Sequence, residues 1–494
     1  MRKHRTAWNK GRDLALFNLA IDGKLRGCDL VSLRVRDVDQ GNVISSRAIV
    51  MQRKTHRPVQ FELTEATRES VAAWVARRSV VMRAMNTTYR IPGAVLTERQ
   101  HSVPLVHDEP SRGTISVFTR EVAAPDGLDR PYLVFLQGGP GFEAARPTSP
   151  PSGWMARALT DFRVLLLDQR GTGRSTPVGP VIPGATAFDQ AEYLTHFRAD
   201  SIVRDLELIR AELGIDRWSL LGQSFGGFTS LTYLSLAPEG LREVLITGGL
   251  APITNRPVDE VYAATWVRVR EANQRYHDRY PGDLDRLRVL LRRLDEEDVR
   301  LPNCDRLTSR RLRQIGMWLG DSAGFERLHH LLELPFGSAA FMVDVQMASA
   351  WERNPIYATL HESSYADGGA TRWSAHRLAP EEAVTGDLLG AEHVFPWMWD
   401  EHTGLRAHRE AAQILAQHPW PRLYDPDRLA RNEVAVAATV YVDDVYVERS
   451  FAQETARGVR GLRAWVTNEY AHNGLRADGE RILSRLLDMV RGRA

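Results

Sequence analysis

Short apolar runs alternate with amphipathic segments through the middle of the chain. The runs Tyr132–Leu136, Val164–Leu167, Trp218–Leu221 and Glu243–Ile246 have the length of buried strands. The intervening segment Ile202–Leu213 repeats its apolar positions near the 3.6-residue period of a helix. Strands that alternate with helices predict a parallel sheet with helices on its faces, with a site in the loops at the carboxyl ends of the strands.

A different pattern occupies residues 251–431. This segment is helical in its apolar spacing, rich in charge, and contains clusters of aromatic and other apolar side chains. The clusters lie at Met317–Leu319, Phe325–Leu334, Phe341–Trp351 and Phe395–Trp399. An insertion of this size between strands predicts a mainly helical cap, and we assign most of its aromatic residues to the cap core. The sheet is then expected in residues 88–250 and 432–494.

The first eighty residues form another segment. Arg12–Ile21 has a helical pattern, Val43–Val50 and Val59–Leu63 are predicted strands, and a helix is predicted from Thr64 to Val75. Residues 1–80 carry a net charge of +8, whereas the rest of the chain carries −6. This shift in composition indicates a small α+β unit of separate origin ahead of the main body.

Composition narrows the class of protein. With 494 residues, 43% hydrophobic and 26% charged, the chain is expected to be a globular protein with more than one structural unit. No apolar run reaches the roughly 18 residues of a membrane span. The basic N-terminus is not followed by the apolar region of a secretory signal. Cys28 and Cys304 are the only cysteines, so a reducing cytoplasm is expected. The pattern does not predict an oligomeric state.

The main chemical signal is the run GQSFGG at residues 222–227. It follows a predicted strand and precedes a predicted helix, which is the setting of a nucleophile elbow. In such a turn the glycines avoid Cβ clashes and the serine hydroxyl is exposed at the edge of the sheet. Ser224 is therefore the predicted nucleophile of an acyl-transfer reaction.

An acyl-transfer serine needs backbone N–H groups that stabilise the oxyanion. One is expected from Phe225, the residue after the nucleophile. The other is expected from the loop QGGPG at residues 137–141, because its glycines let the backbone approach the substrate closely. Gly139 is the predicted donor.

The base and the acid that orients it are expected after the serine, acid first and histidine second. The predicted strand Val434–Val442 ends at Asp443 and Asp444, and a later loop before the C-terminal helix contains His472. His472 is the predicted base. Asp444 is the preferred acid, with Asp443 as the alternative, because either carboxylate can reach the top of the sheet.

Five sequence motifs, taken together, resemble those of a known protein family. They are QGGPG (137–141), DQRGTGRS (168–175), GQSFGG (222–227), YVDD (441–444) and EYAHNGLR (469–476). Over residues 88–494 they resemble the proline iminopeptidase (prolyl aminopeptidase) family of α/β hydrolases. The resemblance implies an α/β-hydrolase fold with an inserted helical cap and the triad Ser224, Asp444 and His472, without metal or cofactor. Gln137 departs from the family, in which many members have histidine.

The resemblance also implies a substrate. In that family acidic cap residues bind the free α-amino group of a peptide, so that N-terminal proline, or another single residue, is released. Glu362 is the best candidate for this role here, with Glu401 as its partner and Glu392 or Asp400 as alternatives. An esterase or amidase of the same fold is the alternative activity.

Residues 1–80 resemble the start of a tyrosine recombinase (phage integrase) catalytic domain. The matching text is RDLALFNLAIDGKLRGCDLVSLRVRDV and QRKTHRPVQFELTEATRESVAAWV. The resemblance implies phosphate contacts by Arg26 and Lys54, but the histidine–arginine box and the tyrosine nucleophile do not follow. We therefore interpret the segment as a truncated, inactive fragment. A DNA-associated fusion protein with weak non-specific binding by this basic head is the alternative function of another class.

Overall fold

The computed structural model describes residues 14–15, 17–23, 39–40, 43–44, 46–51, 58–72 and 87–494. The chain divides into two compact units, Met1–Thr87 and Thr88–Ala494. Among the described residues, none of the helices combines the length and the apolar character that crossing a bilayer requires.

The first unit contains two antiparallel strand pairs. Strand β1 (Asp39–Gln40) pairs with β2 (Val43–Ile44), and β3 (Arg47–Met51) pairs with β4 (Pro58–Glu62). Residues 17–23 and 65–72 are helical. The predicted phosphate ligands Arg26 and Lys54 lie outside the described residues, so the recombinase resemblance stays a prediction.

The second unit is built on a nine-stranded sheet. Its strands are β5 (Thr87–Ile91), β6 (Ala94–Pro104), β7 (Thr114–Ala123), β8 (Tyr132–Leu136), β9 (Arg163–Asp168), β10 (Trp218–Gln223), β11 (Leu241–Thr247), β12 (Ala435–Tyr441) and β13 (Leu462–Thr467). Their order in the sheet is β13-β12-β11-β10-β8-β9-β7-β6-β5. Neighbours from β13 to β9 pair in parallel, whereas β7 pairs antiparallel with β9 and with β6. The carboxyl ends of β8, β10, β12 and β13 therefore meet at one edge of the sheet, where a site is expected.

Helices cover the sheet and form the insertion. Beside the sheet strands lie α1 (Gly153–Asp161), α2 (Ala187–Thr195), α3 (Ala199–Glu212) and α4 (Phe225–Leu236). Between β11 and β12 lie α5 (Val258–Arg279), α6 (Pro281–Glu296), α7 (Ser309–Arg313), α8 (Gly324–Glu333), α9 (Ala339–Ala348), α10 (Pro355–Leu360), α11 (Ser374–Arg377), α12 (Glu381–Val384), α13 (Met398–Glu401), α14 (Arg409–Gln417) and α15 (Pro426–Ala430). The chain ends with α16 (Arg449–Gly458), α17 (Gly474–Ala477) and α18 (Gly479–Val490). Short 3-10 turns lie at Pro110–Arg112, Pro238–Gly240, Gln314–Gly320, Glu362–Tyr365 and Arg406–His408.

Hydrogen bonds of the motif DQRGTGRS stabilise the loop after β9. The Asp168 carboxylate accepts a hydrogen bond from the backbone N–H of Arg174 at 2.8 Å. The fully buried Arg170 donates to both carboxylate oxygens of Asp205, at 2.7 and 2.6 Å, and to the backbone carbonyl of His196 at 2.7 Å. A bidentate pair of this kind fixes both partners in one geometry. The motif therefore connects the loop after β9 to the middle of helix α3 and to the turn that precedes it.

Candidate active site

Ser224 lies at a sharp turn between β10 and α4. Its φ of 56° and ψ of −122° are uncommon for a residue with a side chain, and such strain is typical of active-site turns. The backbone is packed so closely that a Cβ on Gly222 would lie 2.4 Å from the Gly226 carbonyl oxygen. A Cβ on Gly226 would lie 2.0 Å from the Leu136 carbonyl oxygen. These contacts explain why the motif has glycines on both sides of the serine.

The Ser224 turn opens into a cavity of about 250 Å³. Four predicted groups line it: the loop at 137–139, Ser224, His472 and Glu392. Its other lining side chains are Phe142, Gln223, Met317, Tyr357, Tyr446 and Arg476. The sequence assigned none of these six a role in the site. Gln223 and Arg476 belong to the GQSFGG and EYAHNGLR motifs, and Met317 to a predicted apolar cluster of the cap.

His472 and Asp444 form a buried pair. The Nδ1 atom of His472 lies 2.7 Å from Oδ2 of Asp444. The other carboxylate oxygen of Asp444 accepts backbone N–H bonds from Tyr446 at 2.9 Å and from Val447 at 3.0 Å. The N–H of His472 itself donates to the Gly320 carbonyl at 3.0 Å, which links this loop to the cap. The imidazole is thus held through Nδ1, and its Nε2 is the nitrogen left for chemistry.

Asp443 has a different environment from its neighbour. Its carboxylate forms an ion pair with Arg275 of the cap at 3.2 Å, and its side chain is 43% exposed. The Asp444 side chain is only 2% exposed and is the one that contacts the histidine. The geometry therefore favours Asp444 as the orienting acid.

The charge of His472 depends on two carboxylates. Burial acts to lower the pKa of His472, but the charge and hydrogen bond of Asp444 and the charge of Glu392 outweigh burial, so the pKa lies above its ordinary 6.5. Within the described part of the chain, the Ser224 hydroxyl makes no hydrogen bond to this histidine. Such contacts are often long in ligand-free hydrolases and shorten when substrate is bound.

The loop after β8 lies directly against the serine. A Cβ on Gly138 would be 3.0 Å from the Ser224 Cβ, so a side chain at this position would crowd the nucleophile. Gly139 also lines the cavity, with a φ of 134° that favours glycine. The side-chain amide of Gln169 donates to the Gln137 carbonyl at 2.9 Å and supports the loop.

Glu392 is the acid of the cavity wall, and its side chain is 15% exposed. Its Oε2 accepts a hydrogen bond from the Tyr357 hydroxyl at 2.8 Å, and its Oε1 lies 3.8 Å from Nε2 of His361. Burial raises the pKa of Glu392 to about 7, although the nearby His472 and the Tyr357 hydrogen bond oppose the rise. A carboxylate that is poorly solvated in this way gains most from a cationic partner.

The cap acids preferred from the sequence do not line this cavity. Glu362 accepts a hydrogen bond from the Ala375 N–H at 2.9 Å and faces a separate small pocket beside Thr371. Glu401 accepts from Thr308 at 2.7 Å and from Arg310 at 2.6 Å. Of the acids that the sequence offered, the structure thus places Glu392 in the wall of the Ser224 cavity, whereas Glu362 and Glu401 are held elsewhere by backbone or arginine partners.

Comparisons with known proteins agree with this geometry. The alpha/beta hydrolase fold family matches residues 131–318. A protein named proline iminopeptidase from Aeromonas sobria is 49% identical over 406 residues, covering 79% of this chain and 95% of that protein. Proline iminopeptidase aneH from Aspergillus aculeatus is 31% identical over 430 residues, covering 81% and 95%. The predicted fold class is thus confirmed, and the chain belongs to the proline iminopeptidase family of α/β hydrolases.

Proposed function

We propose that this protein is a serine aminopeptidase that releases N-terminal proline from peptides through an acyl-enzyme. The observation that carries the proposal is that the largely buried carboxylate of Glu392, whose side chain is 15% exposed, lines the same cavity as Ser224 and His472. A desolvated carboxylate selects strongly for a cationic partner, and the free N-terminus of a peptide supplies one. The names of the relatives from A. sobria and A. aculeatus support the same substrate.

The reaction proceeds in two halves. The Ser224 hydroxyl attacks the carbonyl carbon of the first residue while its proton passes to Nε2 of His472. The histidine then gives this proton to the leaving amine, and the shortened peptide departs. Water attacks the resulting ester, His472 takes the water's proton and returns it to Ser224, and the amino acid is released. Asp444 holds the imidazole in the required tautomer through the 2.7 Å contact.

Backbone N–H groups stabilise the oxyanion that forms in each half-reaction. We assign one to Phe225, at the first position of helix α4, where an N–H has no partner within the helix. We assign the other to the loop at residues 137–141, with Gly139 as the predicted donor. Gly138 lies in the same loop closest to Ser224, and its N–H is the alternative.

Glu392 and Ser224 line the same cavity and bind the two ends of the acyl residue. The ammonium group pairs with Glu392 while the carbonyl carbon of the same residue reaches Ser224. Phe142 and Tyr357, whose ring centres lie 5.0 Å apart, provide an apolar wall for a pyrrolidine ring. These contacts account for release of a single proline from the N-terminus.

The experiment that tests this function compares two anilides. Proline p-nitroanilide is expected to be hydrolysed, and N-acetylproline p-nitroanilide to lose about 10³-fold in kcat/KM, because acetylation removes the charge that Glu392 binds. Release of p-nitroaniline is followed by absorbance. Equal turnover of both anilides would contradict the aminopeptidase proposal, and turnover of p-nitrophenyl acetate alone would favour a general esterase.

Substitution Glu392→Gln is expected to raise KM for proline p-nitroanilide about 10²-fold. The amide keeps the size and can still accept the hydrogen bond of Tyr357, but it lacks the charge. The matched control is Glu401→Gln, which removes a carboxylate of the same cap that pairs with Arg310 instead. An unchanged KM in Glu392→Gln, or an equal rise in both variants, would refute this role.

The acid limb of the pH–rate profile is expected to depend on Glu392. Activity requires neutral His472, whose pKa is raised, and ionised Glu392, whose pKa is about 7, so kcat/KM should fall as pH drops through this region. Glu392→Gln removes one titrating group and the charge that raises the pKa of His472. The limb should therefore move to lower pH in profiles of kcat/KM measured from about pH 5 to 9. A limb at the same pH in both proteins would contradict the coupling.

A further inference from the structure

A second cavity lies inside the cap and contains none of the catalytic groups. This cap pocket has a volume of about 110 Å³ and is lined by Trp266, Phe395, Trp397, Val384, Arg310 and Arg313. A dry cavity of ~150 Å³ is enough to admit benzene in other proteins. At about 110 Å³ the cap pocket is smaller than that cavity but of the same order, which matches a ligand with one small ring. The cap pocket and the catalytic cavity share no lining residue, although Ala391 of the first is next in sequence to Glu392 of the second.

Arg313 gives this pocket a positive charge without a counter-ion. The residue is only 5% exposed. Its Nε donates to the Gly386 carbonyl at 2.8 Å, and its Nη1 lies 3.5 Å from the Ser309 hydroxyl. Among the described residues no carboxylate lies within 4.0 Å of its guanidinium group. Burial lowers the pKa of Arg313, and Asp295 and Asp387 oppose this only from beyond ion-pair distance.

The neighbouring residues Arg310 and Arg311 differ from Arg313 because each forms an ion pair with a carboxylate. Arg310 also lines the pocket but forms an ion pair with Glu401 and lies over the Trp397 ring, 4.7 Å from its centre. Arg311 is equally buried and is paired with Asp305 at 3.0 Å. A buried cation is costly unless an anion accompanies it. Of the three arginines, Arg313 is the one without a carboxylate at ion-pair distance.

The remaining polar groups of the pocket are neutral or engaged. Burial, with Arg310 nearby, lowers the pKa of His376, so this side chain is neutral near pH 7. The Gln314 amide donates to the Met398 sulfur at 3.0 Å, and its oxygen lies 3.1 Å from Nε2 of His402. Neither side chain supplies the charge that would neutralise Arg313.

We propose that the cap pocket binds a small carboxylate with an aromatic ring, with the carboxylate on Arg313 and the ring between Trp266, Phe395 and Trp397. A carboxylate offers a planar pair of acceptors that matches the guanidinium group. Aromatic side chains favour a ring by stacked and edge-to-face contacts. This ligand is distinct from the peptide substrate, which enters the catalytic cavity with a cationic end.

Benzoate is the probe for this site, measured by ligand-observed NMR titration of the full-length protein. Benzoate should bind at least about tenfold more tightly than benzyl alcohol, since only the anion forms charged hydrogen bonds. Arg313→Met should weaken benzoate by a similar factor and leave kcat/KM for proline p-nitroanilide unchanged. The matched control Arg310→Met should retain benzoate binding, because that guanidinium is already neutralised.

A second variant keeps the test decisive if Arg313→Met does not fold. Val384 lies at the pocket edge, is half exposed, and takes a substitution without disturbing the core. Val384→Glu introduces a carboxylate that competes for Arg313, so benzoate affinity should again fall about tenfold. The proposal would be overturned if a folded Arg313→Met or Val384→Glu protein bound benzoate as tightly as the wild type. It would also be overturned if the wild type bound benzoate and benzyl alcohol with equal affinity.

Discussion

Substitution Ser224→Ala is expected to lower kcat for proline p-nitroanilide by about 10⁴-fold or more. Without the hydroxyl no acyl-enzyme can form, and only the oxyanion donors and substrate binding remain to assist water. The backbone conformation at this position is set by Gly222 and Gly226, so alanine should occupy the same turn. Because Glu392 and the cavity walls are untouched, substrate affinity should change little.

The control removes a hydroxyl from helix α4, which follows Ser224. Ser230 donates its side-chain hydrogen bond to the Gly226 carbonyl at 2.8 Å and does not line the catalytic cavity. Ser230→Ala should therefore retain kcat within about threefold, while costing about 1 kcal/mol of unfolding free energy for the lost hydrogen bond. The rates are compared for proteins with equal circular dichroism spectra. Substantial turnover by Ser224→Ala would mean that another group is the nucleophile.

The centre of the sheet could be predicted from the sequence, but its edges could not. Strands β8 to β11 are buried on both faces, so their sequences are nearly continuous apolar runs. The edge strand β13 (Leu462–Thr467) leaves Arg463, Ala464 and Val466 exposed and contains no such run. It is a strand because β12 pairs with it in parallel, and this contact is not visible in the sequence.

The residues of the candidate triad could be located from the sequence because each lies next to a local signal. Ser224 has its glycines, Asp444 follows an apolar strand, and His472 lies within a family motif. The substrate side of the cavity lacks such signals. Neither Glu362 nor Glu392 lies beside a distinguishing motif, and only the fold of the cap decides which carboxylate lines the cavity of the serine. Tyr357 and Met317 reach the cavity for the same reason, through the packing of helices far apart in the chain.

Two neighbouring aspartates provide the sharpest test of the triad. Asp444→Asn is expected to lower kcat by about 10⁴-fold, and Asp443→Asn to change it by less than about threefold. The two substitutions are chemically identical, and the positions differ only in their contacts. Asp443 forms a partly exposed ion pair with Arg275, a type of interaction that contributes ~1 kcal/mol or less to stability.

The large loss at Asp444 follows from its hydrogen bonds. Its Oδ1 accepts from two backbone N–H groups, so the oxygen of an asparagine would keep that position and its amide would face the histidine. An amide donates to Nδ1, and the imidazole proton must then reside on Nε2, where it blocks acceptance of the serine proton. The variant should also lose the rise in the pKa of His472 that the Asp444 carboxylate supplies. The pH profile of the residual activity should therefore have its acid limb at lower pH. Equal losses in the two variants, or a loss in Asp443→Asn alone, would contradict the assignment of Asp444 to His472.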